Sequence, residues 1–438
     1  MSSYIRKKTF GDTDWFVHDR FGMFIHFGLY ALPARHEWVK TREFISEEKY
    51  QTYFDHFNPD LMDAREWAKK AKAAGMKYAL LTAKHHEGFC LFDSQFTDYK
   101  STNTPCGRDL VREYVDAFRA EGLRVGFYYS LIDWHHPHFP IDCKHPRRND
   151  ENAEELDRGR DMKIYAQYMR DQVRELLTNY GKIDILWCDF SYPGTSDAKP
   201  WMQYGGGKGK DEWESVELIR MIRSINPDII LNDRAQIPQD LITPEQNHPD
   251  MAIRDEETGE YYTWETCQTF SGSWGYYRDE TSWKTPKMLI DMLVRTVANG
   301  GNLIMNVGPT GRGNFDDRAC NALQAYADWM HTNARSIYGC TKAEPEFEAP
   351  AGVMLTQSMD EKRLYIHLQD FPYTNLEIKG LTKARFAYAQ LLCDASEVMT
   401  KEKAYYDPAG RACGTKFELV IPGVVFHQMQ PVIEVFLK

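Results

Sequence analysis

Asp63-Ala-Arg-Glu-Trp-Ala-Lys-Lys-Ala-Lys-Ala-Ala-Gly-Met-Lys-Tyr-Ala-Leu-Leu-Thr-Ala-Lys-His-His-Glu87 reads as helix, stop and strand in one stretch. Apolar residues recur at helical spacing through 63–73, Gly75 serves as a C-cap, and 78–83 is a short unbroken apolar run. A strand apolar on both faces, delivered by a helix, is one unit of a parallel sheet. The alternation recurs from about residue 20 to 335, with strand runs at 21–27, 124–129, 183–187, 229–231, 302–307 and a weaker one near 262–266. Helical patterns fill the gaps at 109–120, 161–179, 214–225, 286–298 and 317–333.

Six to eight such units predict an α/β fold of the TIM-like (β/α) barrel kind. An open doubly wound sheet would place a glycine-rich phosphate turn after an early strand, and the sequence has none. The cluster Tyr204-Gly-Gly-Gly-Lys-Gly-Lys210 follows no strand and is read as a mobile surface loop inside an insertion at 194–213. After about residue 340 the helical period gives way to short runs at 353–356, 363–368, 375–378, 417–421 and 432–437, separated by Gly, Pro and Asp. The expectation is a catalytic barrel domain over 1–340 and a C-terminal antiparallel β-sandwich over 341–438.

The 438 residues are 42% hydrophobic and 13% aromatic, which is a folded chain with a large core and a supply of flat rings for stacking on sugar faces or on one another. A net charge of -11 without a long Lys/Arg run points away from nucleic acid and anionic membrane, toward a neutral or mildly polar ligand. The chain is read as carrying neither a signal peptide nor a membrane span. Nine cysteines, an odd number without a CxxC, suit a reducing compartment, so the expected setting is the cytoplasm. The sequence does not disclose an oligomeric state.

A barrel builds its site at the carboxyl ends of its strands, so polar residues there are the candidates. They are His26, Lys84-His-His-Glu87, Tyr129, Asp189 after Ile183-Asp-Ile-Leu-Trp-Cys188, Asn232-Asp-Arg234, and Asn306. The adjacent His85 and His86, and the run Asp133-Trp-His-His-Pro-His138, suggest metal, but no HxH at a strand end and no HExxH is present, so no metal or other cofactor is expected. GxSxG is absent, and Cys188 points away from Asp189 on a strand. Carboxylate chemistry among hydroxyl-binding His, Tyr, Trp and Arg side chains remains.

Phe21-Gly-Met-Phe-Ile-His-Phe-Gly28, His36-Glu-Trp38, Lys84-His-His-Glu-Gly-Phe89, Tyr128-Tyr-Ser130, Leu186-Trp-Cys-Asp189, Asn232-Asp-Arg234, Trp264-Glu265, Ser273-Trp-Gly-Tyr276 and Gly300-Gly-Asn-Leu-Ile-Met-Asn-Val-Gly-Pro309 follow one another in the order of known motifs. Together they resemble the α-L-fucosidases of glycoside hydrolase family 29, over residues 15 to about 335. The resemblance implies a retaining, exo-acting enzyme on fucosylated oligosaccharides or glycoconjugates. It makes Asp189 the nucleophile and His26, Glu37, Trp38, His85, His86, Tyr129, Trp187 and Arg234 the sugar-binding shell, with Trp274 facing the C5 methyl. Two glutamates compete for acid/base: Glu245, about a dozen residues after Asn-Asp-Arg, is favoured, and Glu265 is the runner-up or a supporting residue. An α-L-galactosidase on the same scaffold, a non-catalytic fucose-binding protein and a metal-dependent hydrolase are the competing readings.

Overall fold

A computed structural model describes residues 4–194, 199–202 and 206–438. Seven parallel strands, β1 (Phe21–Ile25), β2 (Tyr78–Lys84), β3 (Arg124–Ser130), β4 (Ile185–Asp189), β5 (Ile230–Leu231), β6 (Glu265–Thr269) and β7 (Asn302–Val307), form one curled sheet. Their order is β5-β4-β3-β2-β1-β7-β6, sequential neighbours joined through β1 and β7 as in a barrel. The remaining gap is spanned by residues 241–246. Leu241 pairs in parallel with Asn232 on the β5 side, while Ile242 pairs with Trp264 and Glu245 with Cys267 on the β6 side. Bonds from Leu241 N to Leu231 O (3.1 Å) and from Cys267 N to Pro244 O (3.2 Å) hold this segment on both sides. Proline at 244 lacks the N–H of an ordinary ladder residue, which is why no strand signal is legible here.

The expected helices are present at Ala64–Ala73, Leu110–Ala120, Met162–Asn179, Ser215–Ile225, Pro286–Ala298 and Asp317–Asn333. The first three begin one residue later than the sequence suggests, because Asp63, Asp109 and Asp161 are their N-caps. Each Asp carboxylate accepts a backbone N–H of the first turn, at 2.9 Å from Arg65, Arg112 and Lys163 respectively. Their apolar faces pack on the outside of the sheet with Leu81, Val125, Leu186 and Leu303. The opposite faces of the strands point inward and bury Phe24, Leu80, Tyr128, Ile185, Trp187 and Ile304.

Beyond the barrel, β8 (Cys340–Lys342), β9 (Val353–Ser358), β10 (Arg363–Leu368), β11 (Asn375–Leu376), β12 (Phe386–Leu391), β13 (Thr400–Tyr406), β14 (Ala412–Val420) and β15 (Val432–Leu437) complete the chain. They make two antiparallel sheets, β12-β15-β10-β9-β8 and β11-β14-β13, which sandwich a core containing Ile366, Leu376, Leu419 and Val435. Strand β13 carries too many exposed polar residues to read as a strand from apolar runs alone.

The glycine cluster departs from expectation. Tyr204 and Gly205 lie outside the described residues, but Lys208 is completely buried and ion-paired with Asp142. Tyr192 donates its hydroxyl to the same carboxylate at 2.5 Å, and Tyr192 N bonds Lys208 O at 2.9 Å. A buried cation met by a buried anion and a phenol fixes this stretch, so 206–209 is a strut behind the chain that follows β4 rather than a mobile surface loop.

Tight packing at the amino end of the barrel depends on glycine. Gly22 lies beside Tyr78 in register, and a Cβ there would sit 2.3 Å from the Tyr78 ring. With that space open, the Tyr78 hydroxyl reaches Glu265 Oε1 at 2.5 Å. Gly22→Ala is expected to push the ring away and cost about 1–3 kcal/mol. Urea unfolding checks this: the midpoint falls with an unchanged slope, and an unchanged midpoint refutes the packing account.

Candidate active site

The inward positions at the carboxyl ends of the strands converge on one cavity, open to solvent, with about 360 Å³ of empty space. His26, Glu37, Trp38, His85, His86, Trp187, Asp189, Arg234, Glu245 and Trp274, all singled out in the sequence, line it. Phe24, Tyr128, Phe190 and Cys267 line it as well.

Asp189 ends β4 with the inward direction of Ile185 and Trp187, four and two residues earlier. Its Oδ2 accepts the Tyr128 hydroxyl at 2.8 Å, and its Oδ1 accepts Arg234 Nη1 at 2.9 Å. Burial pushes its pKa up to about 6; Arg234 and Tyr128 act to lower it and Glu245 to raise it. Arg234 is itself held: its guanidinium lies 4.5 Å from the Trp187 ring centre, and its Nε donates to Thr243 Oγ1 at 3.2 Å. The same Nη1 that bonds Asp189 lies 2.7 Å from Glu245 Oε2. Those two carboxylate oxygens are therefore no further apart than the two contacts laid end to end, within about 6 Å. Glu245 remains partly open to solvent, its side chain 42% exposed.

Buried imidazoles form one wall. His26 Nδ1 lies 2.6 Å from Asn306 Oδ1, and the Asn306 amide N–H donates to Trp274 O at 2.7 Å. His86 Nδ1 lies 2.7 Å from Ser130 Oγ, and its Nε2 lies 3.9 Å from Asp189 Oδ2. Burial drives His26 and His86 well below the ordinary imidazole range and His85 down to about 3, so all three are neutral at pH 7. Glu37 Oε2 accepts Gly275 N at 2.9 Å, and burial raises its pKa to about 7. Trp38 packs on His86, Trp134 and Phe190 with ring centres 4.8–5.4 Å apart, and Trp274 lies 5.2 Å from His26.

Three sequence expectations are corrected. Tyr129 points outward, donating to Gln172 Oε1 at 2.8 Å with Lys84 Nζ over its ring, because it alternates with inward-facing Tyr128. The side-chain parity of Gly126, Tyr128 and Ser130 contained the signal. Glu265 is the first residue of β6, at the amino end of the barrel; fully buried, it bonds Tyr78 and touches Trp187 from beneath without lining the cavity, which removes it as an acid/base and leaves the supporting role. Asn232 spends its amide on the Cys188 backbone, at 3.1 and 2.9 Å, and so does the loop-satisfying work that a strand-end polar residue often does. Phe190, held at φ 90°, and Cys267 carried no sequence signal of their own. No group of three or more His, Cys, Asp or Glu is arranged to hold a metal ion among the described residues.

The sequence model of the α-L-fucosidase family matches residues 7–335. The chain is 42% identical to α-L-fucosidase isoenzyme 1 of Paenibacillus thiaminolyticus, whose structure it matches with a TM-score of 0.85 over 97% of this chain and 98% of that one. A glycoside hydrolase family 29 α-L-fucosidase of Bacteroides thetaiotaomicron, trapped as a covalent intermediate with 2-fluoro-fucosyl fluoride in a Glu-to-Gln mutant, matches with a TM-score of 0.79 at 25% identity, over 100% and 99% of the two chains. The α-L-fucosidase of Dictyostelium discoideum is 28% identical over 367 residues, 74% of this chain and 71% of its own. Barrel, cavity and these likenesses agree, and the chain belongs to the α-L-fucosidase family.

Proposed function

We propose that this chain is a retaining, exo-acting α-L-fucosidase that removes terminal fucosyl residues from oligosaccharides or glycoconjugates, with Asp189 as nucleophile and Glu245 as acid/base. The observation that carries the reading is the single Arg234 Nη1 shared by the two carboxylates. It holds one oxygen of each within about 6 Å of the other, which fits the spacing of about 5–5.5 Å in retaining glycosidases better than the roughly 6.5–9.5 Å that leaves room for an inverting water. The covalent fucosyl species trapped in the Bacteroides relative supports the same stereochemistry.

In the first step an Asp189 oxygen attacks the anomeric carbon while the bond to the leaving oxygen breaks and Glu245 gives that oxygen its proton. In the second, water gives a proton to Glu245, attacks the same carbon and displaces Asp189. To act as an acid Glu245 must first leave its ion pair with Arg234, and its partial exposure lets the loop-borne side chain do so when substrate enters. His26, His85, His86 and Glu37 offer polar contacts to the sugar hydroxyls, while Trp274 and Phe24 supply an apolar wall suited to the deoxy position. A cytoplasmic setting, without nucleic acid or membrane as partner, is part of the proposal and rests on cysteine pattern and charge.

Turnover of 4-nitrophenyl α-L-fucoside is expected to drop by a factor on the order of 10⁴ in Asp189→Ala. Azide then restores product as β-fucosyl azide in that variant and as α-fucosyl azide in Glu245→Ala; the reverse pattern, or undiminished turnover, overturns the assignment. Asp189 must be ionised to attack, so kcat/KM of the wild type is expected to fall as pH drops through about 6. Replacing Arg234 by Met removes the cation that favours the carboxylate, which moves this acid limb to higher pH. A limb that stays in place in Arg234→Met refutes the electrostatic role.

A further inference from the structure

Two of the three pocket imidazoles are held in one tautomer. The Asn306 amide spends its N–H on Trp274 O, so its oxygen accepts and His26 carries its hydrogen on Nδ1. Ser130 spends its hydroxyl hydrogen on Ile132 O at 2.7 Å, so its oxygen likewise accepts from His86 Nδ1. Both rings therefore turn a bare Nε2 toward the cavity, and both accept.

His85 breaks the pattern. Its Nδ1 is buried without a hydrogen-bond partner and faces Glu87 Oε2 at 3.4 Å. Glu87 is 1% exposed, and neither of its oxygens has a side-chain hydrogen-bond partner; the groups turned to it that favour its charged form are the backbone N–H of Leu29 and its own, with Lys40 further off. The carboxyl is wedged in place: a Cβ on Gly28 would come within 2.8 Å of Oε1. Lys40 is engaged by Glu47 at 3.0 Å and Asp133 by Lys84 at 3.1 Å, and the phenols of Tyr30, Tyr50 and Tyr99 complete the titratable surroundings. No cation contacts Glu87, and burial raises its pKa to about 8, with its own and the Leu29 backbone N–H and Lys40 opposing and Asp133 adding to the shift.

Resting on the fucosidase reading for its substrate, we propose that Glu87 is a positioning residue that fixes His85 in the opposite tautomer from its two neighbours. A protonated Glu87 has one hydrogen to give, and the unpaired acceptor facing it is His85 Nδ1. His85 then carries its own hydrogen on Nε2 and donates to a sugar hydroxyl, while His26 and His86 accept. Each hydroxyl gives one hydrogen and receives others, so a wall of mixed polarity binds adjacent hydroxyls that a wall of acceptors alone would leave half satisfied.

The test has two arms. Nitrogen-15 NMR of the histidines at pH 7 reads the tautomers of the whole protein without reference to activity. Hydrogen on Nε2 of His85 and on Nδ1 of His26 and His86 is expected, and Nδ1–H on His85 overturns the proposal even if no fucoside is hydrolysed. The second arm compares kcat/KM on 4-nitrophenyl α-L-fucoside. Glu87→Gln keeps an N–H for Nδ1 and is expected to stay within about threefold of wild type, without the alkaline loss near pH 8. Glu87→Leu gives nothing to Nδ1 and is expected to lose about tenfold or more. That loss should vanish when Glu87→Leu is placed on a His85→Phe background. A Gln variant as poor as Leu, or an undiminished Leu effect without His85, shows a merely structural role. Wild-type silence on every α-L-fucoside would sink the functional reading and leave the tautomer assignment to the NMR arm.

Discussion

One guanidinium nitrogen serves two carboxylates at the mouth of this barrel, and the geometry of the site depends on it. Arg234 Nη1 lies 2.9 Å from Asp189 and 2.7 Å from Glu245, while the rest of the group rests on Trp187 and Thr243. These contacts join three different parts of the chain: the end of β4, the loop after β5 and the segment 241–246. That segment fills the last gap in the barrel. Closure of the sheet and spacing of the acid pair are therefore one constraint, since Glu245 is itself the residue that pairs with Cys267 on β6.

Backbone strain gathers at the same place. Three residues other than glycine with positive φ directly adjoin pocket side chains: His36 (93°) before Glu37, Phe190 (90°) after Asp189, and Gln246 (49°) after Glu245. Such conformations cost of order 1–3 kcal/mol each and persist where surrounding structure overdetermines them. Here the surroundings can be named. Phe190 is clamped between Trp38, His86 and Tyr192, and Tyr192 is tied to the buried Asp142–Lys208 pair. The strut at 206–209 thus bears on the site through the ring that follows the nucleophile.

The strand ends were legible because parallel barrel strands are apolar on both faces and stop abruptly at the polar residue that turns into the cavity. Asp189 after Leu-Trp-Cys and His26 after Phe-Ile are of that kind. What depended on parity was less so: Tyr128 and Tyr129 are chemically alike, and only the pleat sends one to Asp189 and the other to Gln172. Glu265 misleads for a related reason, since a buried carboxyl on a strand looks the same in sequence whether it opens or ends that strand. The 241–246 segment escaped because its pairing is tertiary and its centre is a proline, and the Lys208 strut because glycines flanking a lysine read as a loop until Asp142 is brought to it.

The distribution of charge inside the barrel follows from the same contacts. Four carboxyls are buried in or beneath the cavity, and burial alone would protonate all of them. Glu37, Glu87 and Glu265, with no Lys or Arg in contact, sit at about 7, 8 and 8, while Asp189, bonded to Arg234 and to the Tyr128 hydroxyl, sits at about 6. Near neutral pH the negative charge among these four thus gathers most on the nucleophile. A neutral neighbour does not repel that charge, and it can donate hydrogen bonds that a carboxylate cannot. An oxocarbenium-like transition state develops positive charge on the sugar ring. It then meets one anion placed beneath the reacting carbon, instead of a diffuse negative field that would bind ground state and transition state with less distinction.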